Sequence, residues 1–379
     1  MPLVHPTNKP TKKTDKRSQR WIIVGACLLV VVSAALLYFI VTGITRRQTT
    51  DPFVPTTATS TISGDGRVVR KIDGQLVESG MEAKRPISVM IDNQIDAQPW
   101  SGVEQASLVI ESPVEGGITR LMAFFDPSIP TSTPIGPVRS ARPYFLDWAT
   151  AWEAGYAHVG GSPEALDRIK RLGNAFFNID EMANSTTFYR DRTKPAPHNV
   201  YTSIDRLTQT MERRYGTSTA TYANWRFEQL ATSTTDVIAV SSIRIPYGGS
   251  YSITWKYDPQ LGLYRRLKGN AIQKTREGNE LLAANVAVIK TDSQVLDDKG
   301  RLSLRTTGGG DAILYRGGKK YIARWSRSQN EPIRFEGADG TQYPLTAGTT
   351  WIQVTTDDRI FGGLTPTTPA PTTTTSSTP

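Results

Sequence analysis

The chain has 379 residues, 38% of them hydrophobic, and a formal net charge of +9, which is enough apolar material for ordinary folded cores. The charge is local: residues 1–47 hold eight Lys and Arg against Asp15 alone, leaving only +2 for the rest. No basic stripe or base-stacking motif follows that tail, which excludes nucleic acid as a partner, and Cys27, the only cysteine, excludes disulfides, thiolate zinc sites and a cysteine nucleophile beyond it.

Residues 21–45, "WIIVGACLLVVVSAALLYFIVTGIT", run 25 residues without a charge. At ~1.5 Å per residue such a helix spans a hydrocarbon core of about 30 Å. Six basic residues precede it and two follow, so the positive-inside rule keeps residues 1–20 cytoplasmic and exports the C-terminal bulk. This predicts a transmembrane signal anchor and a single-pass plasma-membrane protein. A cleaved signal peptide would have a shorter apolar region and a small-residue cleavage site. Cys27 lies in "VGAC", which resembles a lipobox, but the apolar run continues for 18 residues after it; it reads as a small residue inside the helix.

Residues 46–83 mix Thr, Pro and Gly around one hairpin-like piece, "RVVRKIDGQLVESG", and read as an extracytoplasmic spacer. Over 84–220, apolar and β-branched runs at 87–91, 108–111 and 118–125 predict strands. Residues 143–152 predict a helix with Pro143 at its first position. A second is predicted over 162–172, with Ser162 as N-cap, Pro163 after it, Glu164 in the first turn, basic residues in the last and Gly173 beyond the end. Strands alternating with helices predict an α/β or α+β N-terminal ectodomain. Over 236–358, segments such as "YSITWKYD", "NVAVIKT" and "AILYRGGKKYIARW" alternate with period two. Turns at Gly317-Gly318 and Asp339-Gly340 complete the pattern of a mainly antiparallel β C-terminal domain. Residues 364–379, "LTPTTPAPTTTTSSTP", hold too little apolar surface to pack and are predicted to be disordered.

The stretch "GPVRSARPYF", residues 136–145, carries Arg139 and Arg142 around Ser140. In an extended chain, side chains three apart point to opposite faces, and Pro143 biases Arg142 toward that conformation. A guanidinium fork suits bidentate phosphate or carboxylate contacts. Arg120, closing "EGGITR", adds a third cation, while Asp92, Glu111 and Glu115 are available as internal ion-pair partners. In "AGYAHVGGSPEALDRIK", a strand meets a helix through Gly160, Gly161 and Ser162. Free amides and the helix dipole there favour an anion, although a serine-capped turn has the same pattern. Neither a Walker loop nor a dinucleotide fingerprint is present.

His158 and His198 are the histidines outside the tail, and both are candidates for acid–base work or, with Asp92, for a metal. Their spacing matches no zinc signature. Asp92 falls just past a strand's carboxyl end, where open α/β sheets build sites. Ser140 and Ser162 lack a G-x-S-x-G elbow.

The segments "RPISVMIDN", "VIESPVEGGITRLMAFF", "IGPVRSARPYF", "YAHVGGSPEAL" and "PHNVYTS", in that order, resemble the N-terminal domain of the YerB-like bacterial lipoproteins of undetermined function. "TWKYDPQLGLYRRLKG", "NVAVIKT" and "TWIQV" are similar to that family's C-terminal domain. The resemblance implies an envelope-anchored, exported protein with a two-domain ectodomain, and it lends no reaction or site residues. An apolar helix stands where that family has an acylated cysteine. "GITRLMAFF", "VRSARPYF" and "GYAHVGGSPEALDRIKRLG" are also similar in outline to the LytR-CpsA-Psr proteins, which join phosphate-linked glycopolymers to peptidoglycan. That likeness implies that Arg120, Arg139 and Arg142 clamp phosphates and that Asp92 sits near magnesium, but Leu121 occupies the place of an expected acidic residue.

Three functions remain in competition. The first is a membrane-anchored envelope module that binds an anionic wall component through Arg120, Arg139, Ser140, Arg142, His158, Gly160, Gly161 and Ser162. The second is a phosphotransferase-like or hydrolytic enzyme acting on lipid-pyrophosphate-linked glycopolymers with magnesium, using Asp92, His158 or His198. The third is a scaffold for an envelope protein, with no small-molecule site.

Overall fold

The computed structural model describes residues 66–361 apart from 130, 217–218, 224 and 229–237. The basic tail, the apolar segment 21–45, most of the spacer and the Thr/Pro-rich 364–379 lie outside the described residues.

Apolar runs form strands β1 (Ile87–Asp92), β2 (Leu108–Pro113) and β3 (Thr119–Phe125). β3 pairs antiparallel with both β1 and β2, and its register sets Asp92 opposite Arg120. Helix α1 (Pro143–Ala151) begins at its proline. β4 (Gly155–His158) follows and pairs parallel with β1. Helix α2 (Pro163–Leu172) is capped by Ser162, whose Oγ accepts from the Ala165 amide at 3.3 Å, and it stops at Gly173. β5 (Asn178–Asp180) extends the sheet parallel to β4, and α3 (Ile204–Tyr215) packs nearby under a Ser203 cap.

The second half contributes β6 (Ile238–Ala239), β7 (Ser242–Ile245), β8 (Ile253–Asp258), β9 (Leu263–Lys268) and β10 (Asn285–Lys290). β11 (Ser293–Val295) and β12 (Leu302–Leu304) pair with each other as a separate two-stranded hairpin. β13 (Gly308–Arg316), β14 (Lys319–Arg327) and β15 (Thr350–Thr355) follow.

The fold class expected from local patterns is corrected here. The protein is mainly β, with three short α-helices among the described residues, and its largest sheet crosses both halves. That sheet runs β6-β14-β13-β10-β15-β2-β3-β1-β4-β5, with Arg334–Glu336 attached to β14. β15 lies parallel to β10 on one side and to β2 on the other, which brings Thr350 beside Leu108. The C-terminal half is β-rich and mainly antiparallel, as expected, but β15 ties it to the N-terminal half through parallel pairings on both of its edges. Period-two alternation marks a strand but does not say which distant edge it will fill. A second, antiparallel sheet is built on β7-β8-β9.

The expected transmembrane helix and single-pass placement are corrected too. No helix among the described residues is long and apolar enough to cross a membrane, and the segment that suggested one lies outside them.

Both faces of the large sheet are covered, which is why β1 is buried along its whole length and shows no polar face. Met90, Met122 and Phe124 pack with Phe145 and Trp148 of α1 and with Trp152. Val89, Leu121 and Ala123 face the other way, toward Leu207 and Met211 of α3 and Trp255 and Tyr264 of the small sheet. Burial of each such large side chain contributes about 2 kcal/mol. Between the sheets, Glu111 and Arg266 are almost fully buried and pair at 2.8 Å, with the guanidinium 5.2 Å from the rings of both Trp100 and Trp351.

Candidate functional site

Residues 136–142 cross the end of the large sheet through single backbone contacts. The Arg139 amide donates to the Met90 carbonyl at 2.8 Å and the Ala141 amide to the Gly160 carbonyl at 3.0 Å. Val138 bridges Ile91 antiparallel, while Ala141 bridges Gly161 parallel. The stretch changes partner between its two arginines, so the regular alternation of a strand does not hold across it. Arg139 and Arg142 line one cleft of about 380 Å³, together with Arg120, Ser140, Gln94, Glu115, Gly116, Ile118 and Lys299.

The three arginines differ in how far their donors are used. Arg142 is committed: Nε donates to Glu115 Oε2 at 2.9 Å, Nη2 to Glu115 Oε1, and Nη1 to the Ala141 carbonyl at 2.7 Å. Burial alone would raise the Glu115 carboxyl, but the Arg142 hydrogen bonds and charge outweigh it and bring the pKa down to about 2. Arg139 turns Nε to Asp92 Oδ2 at 3.0 Å, and its Nη groups have no hydrogen-bond partner among the described residues.

Arg120 is 4% exposed. Its Nη1 donates to the Ser140 carbonyl at 2.9 Å, its buried Nε has no acceptor, and no carboxylate lies within ion-pair distance among the described residues. Burial, and then the Arg142 charge, lower its pKa to about 10. It stays cationic at neutral pH, with Glu115 and Asp92 acting on it only at a distance and no carboxylate in direct contact among the described residues.

Asp92 is 1% exposed, and Oδ2 meets both Arg139 and His198 Nδ1, the latter at 2.7 Å. It therefore stands behind the cleft wall, with His198 behind it. His158 is placed elsewhere: Nδ1 contacts the Gly160 carbonyl and Nε2 contacts Asn178 Oδ1, each at 2.7 Å. The helix start is filled from within. The Gly160 amide donates to Asp180 Oδ1 at 3.2 Å, the Ser162 amide donates to the Ala141 carbonyl at 3.2 Å, and Ser162 Oγ caps α2. The structure thus gathers Arg120, Arg139, Ser140 and Arg142 around the cleft, while His158, Gly160, Gly161 and Ser162 do not line it. Gln94, Gly116, Ile118 and Lys299 join the lining without having been legible as site residues. Lys299 comes from the turn between β11 and β12, and nothing in "DDKG" signals a contact with residues 120–142.

Magnesium does not fit this donor set. Asp92 is already engaged by Arg139 and His198, and no group of three His, Cys, Asp or Glu able to hold a metal occurs among the described residues.

Residues 73–218 match the N-terminal domain, and residues 243–352 the C-terminal domain, of a family described as a protein of unknown function, DUF3048. The chain belongs to the DUF3048 family. Its relatives include a Bacillus subtilis (strain 168) protein named "Putative lipoprotein YerB", 27% identical over 297 residues that cover 76% of this chain and 86% of the relative. The crystal structure of the YerB protein from Bacillus subtilis matches with a TM-score of 0.67 at 27% identity, covering 76% of this chain and 96% of that one. The likeness to YerB read from the sequence segments is thus established. That relative's name denotes a lipoprotein and not a single-pass protein. Within the DUF3048 frame, the arginines belong to the N-terminal domain and Lys299 to the C-terminal one, so the cleft is shared by both.

Proposed function

We propose that this DUF3048 protein is envelope-associated and binds an anionic component, bearing phosphate or carboxylate, in the cleft around Arg120. Envelope association rests on the name of its Bacillus subtilis relative. The anion reading is carried by one observation: Arg120 is buried, cationic and lacks a carboxylate partner among the described residues, while Arg139 and Arg142 beside it each have one. A buried charge without a counter-ion is costly. The fall of the Arg120 pKa from 12.5 to about 10 corresponds to a cost on the order of 3 kcal/mol. A bound anion offsets that cost with charge-assisted hydrogen bonds.

The test is calorimetric titration of the full chain with sulfate, paired with melting curves. Arg120→Met should abolish binding while leaving the ligand-free melting temperature unchanged or higher, because it removes an uncompensated buried charge. Unaltered sulfate affinity in Arg120→Met would show that the cleft is not the binding site.

A further inference from the structure

The geometry points to a doubly charged, tetrahedral anion, such as a terminal phosphomonoester, as the group this cleft takes, and to Lys299 of the C-terminal domain as the residue that selects it. This rests on the anion-binding reading above and specifies its ligand.

Charge matching favours a dianion. Of the four cations lining the cleft, Arg142 is neutralised by Glu115 and Arg139 by Asp92. Arg120 and Lys299 have no carboxylate within ion-pair distance among the described residues. Two positive charges are therefore left over, which one dianion balances. A carboxylate or a phosphodiester, each singly charged, would leave one cation uncompensated.

The placement of free donors favours a tetrahedral group. Arg142 has its three guanidinium nitrogens turned to Glu115 and Ala141, so it shapes the wall without reaching a ligand. The Nη groups of Arg139, the Ser140 hydroxyl and the Lys299 ammonium have no side-chain partner among the described residues, and all three residues line the cleft. They come from two separate segments of the chain and converge on one hollow. Several donors arriving from different directions suit the three terminal oxygens of a phosphomonoester better than the two coplanar oxygens of a carboxylate, which a single guanidinium fork satisfies.

Lys299 reaches this hollow because the β11–β12 hairpin is a sheet of its own, off the large sheet. Its turn is held by Asp297, whose Oδ1 accepts the Lys299 amide at 3.1 Å and whose Oδ2 accepts Arg301 Nε at 2.5 Å. The N-terminal arginines by themselves supply one net charge, from Arg120. The second is contributed by the other domain, which makes discrimination by ligand charge a property of the two domains together.

The experiment titrates the full chain at about pH 8, where a phosphomonoester is doubly ionised, with methyl phosphate, dimethyl phosphate and acetate. Methyl phosphate should bind about tenfold more tightly than the other two, or better, a gap of about 1.4 kcal/mol. Lys299→Ala should shrink that preference below about threefold while leaving the melting temperature unchanged. Equal affinities for the three ligands, or a preference that survives Lys299→Ala, would overturn the dianion assignment and leave anion binding standing. Absence of binding by all three would remove the anion-binding reading itself.

Discussion

Arg120 and Arg142 are both buried and end on the same cleft, yet their surroundings assign them opposite roles. Arg142 is held on three sides, and Glu115 is held with it. The lowered Glu115 pKa has a consequence for acid stability. The ionised pair stabilises the fold fully above the ordinary carboxyl value of 4.5, and that contribution is lost as pH falls toward about 2. Glu115→Gln should therefore lower the urea midpoint at neutral pH and flatten its decline between pH 4.5 and 2; parallel curves for the two proteins would contradict the assignment. The sequence showed that the arginines and Asp92, Glu111 and Glu115 were available to one another. Which pairs form was not legible, because Glu111 is taken by Arg266 from the other half and Arg120 is left without a carboxylate in ion-pair range among the described residues.

At the level of elements, the helix signals were fully legible because they are local: Pro143 opens α1, Ser162 caps α2 and Gly173 ends it. The same local reading misjudged the purpose of one glycine. Gly161 was expected to let an anion approach the backbone. A Cβ there would instead meet Leu166 Cδ2 at 3.1 Å and Ala141 Cβ at 3.2 Å, so the residue is small because Leu166 of α2 and Ala141 pack closely on it. Between elements, the Glu111–Arg266 pair joins β2 to β9 across the two sheets. Breaking it by Arg266→Met leaves a buried carboxylate without its cation and should cost about 3–5 kcal/mol. Replacing both partners, as Glu111→Leu with Arg266→Met, should recover most of that loss. Urea unfolding of the two single variants and the double variant measures the coupling, and simple additivity would show that the pair is not a unit.

For the whole molecule, β15 is the strand that joins the two family domains, lying between β10 and β2. Removing the C-terminal half leaves the outer edge of β2 unpaired and uncovers Val109, Leu121 and Ala123 where they face Trp255 and Trp351. Full-length protein should melt in one calorimetric transition, and a fragment ending at residue 228 should fail to show a cooperative melt. A native-like transition in that fragment would establish that the N-terminal domain folds alone. By itself, the amino-acid sequence determined the local strands, the helix caps, the family and the presence of three arginines in segments 120–142, because each depends on neighbours within a few residues. The mixed sheet, the single wall shared by Arg139 and Arg142, the lack of a carboxylate partner for Arg120 among the described residues and the arrival of Lys299 were decided only by tertiary structure. Those features depend on which distant edges pair and which charges are left over once the nearer ones have been satisfied.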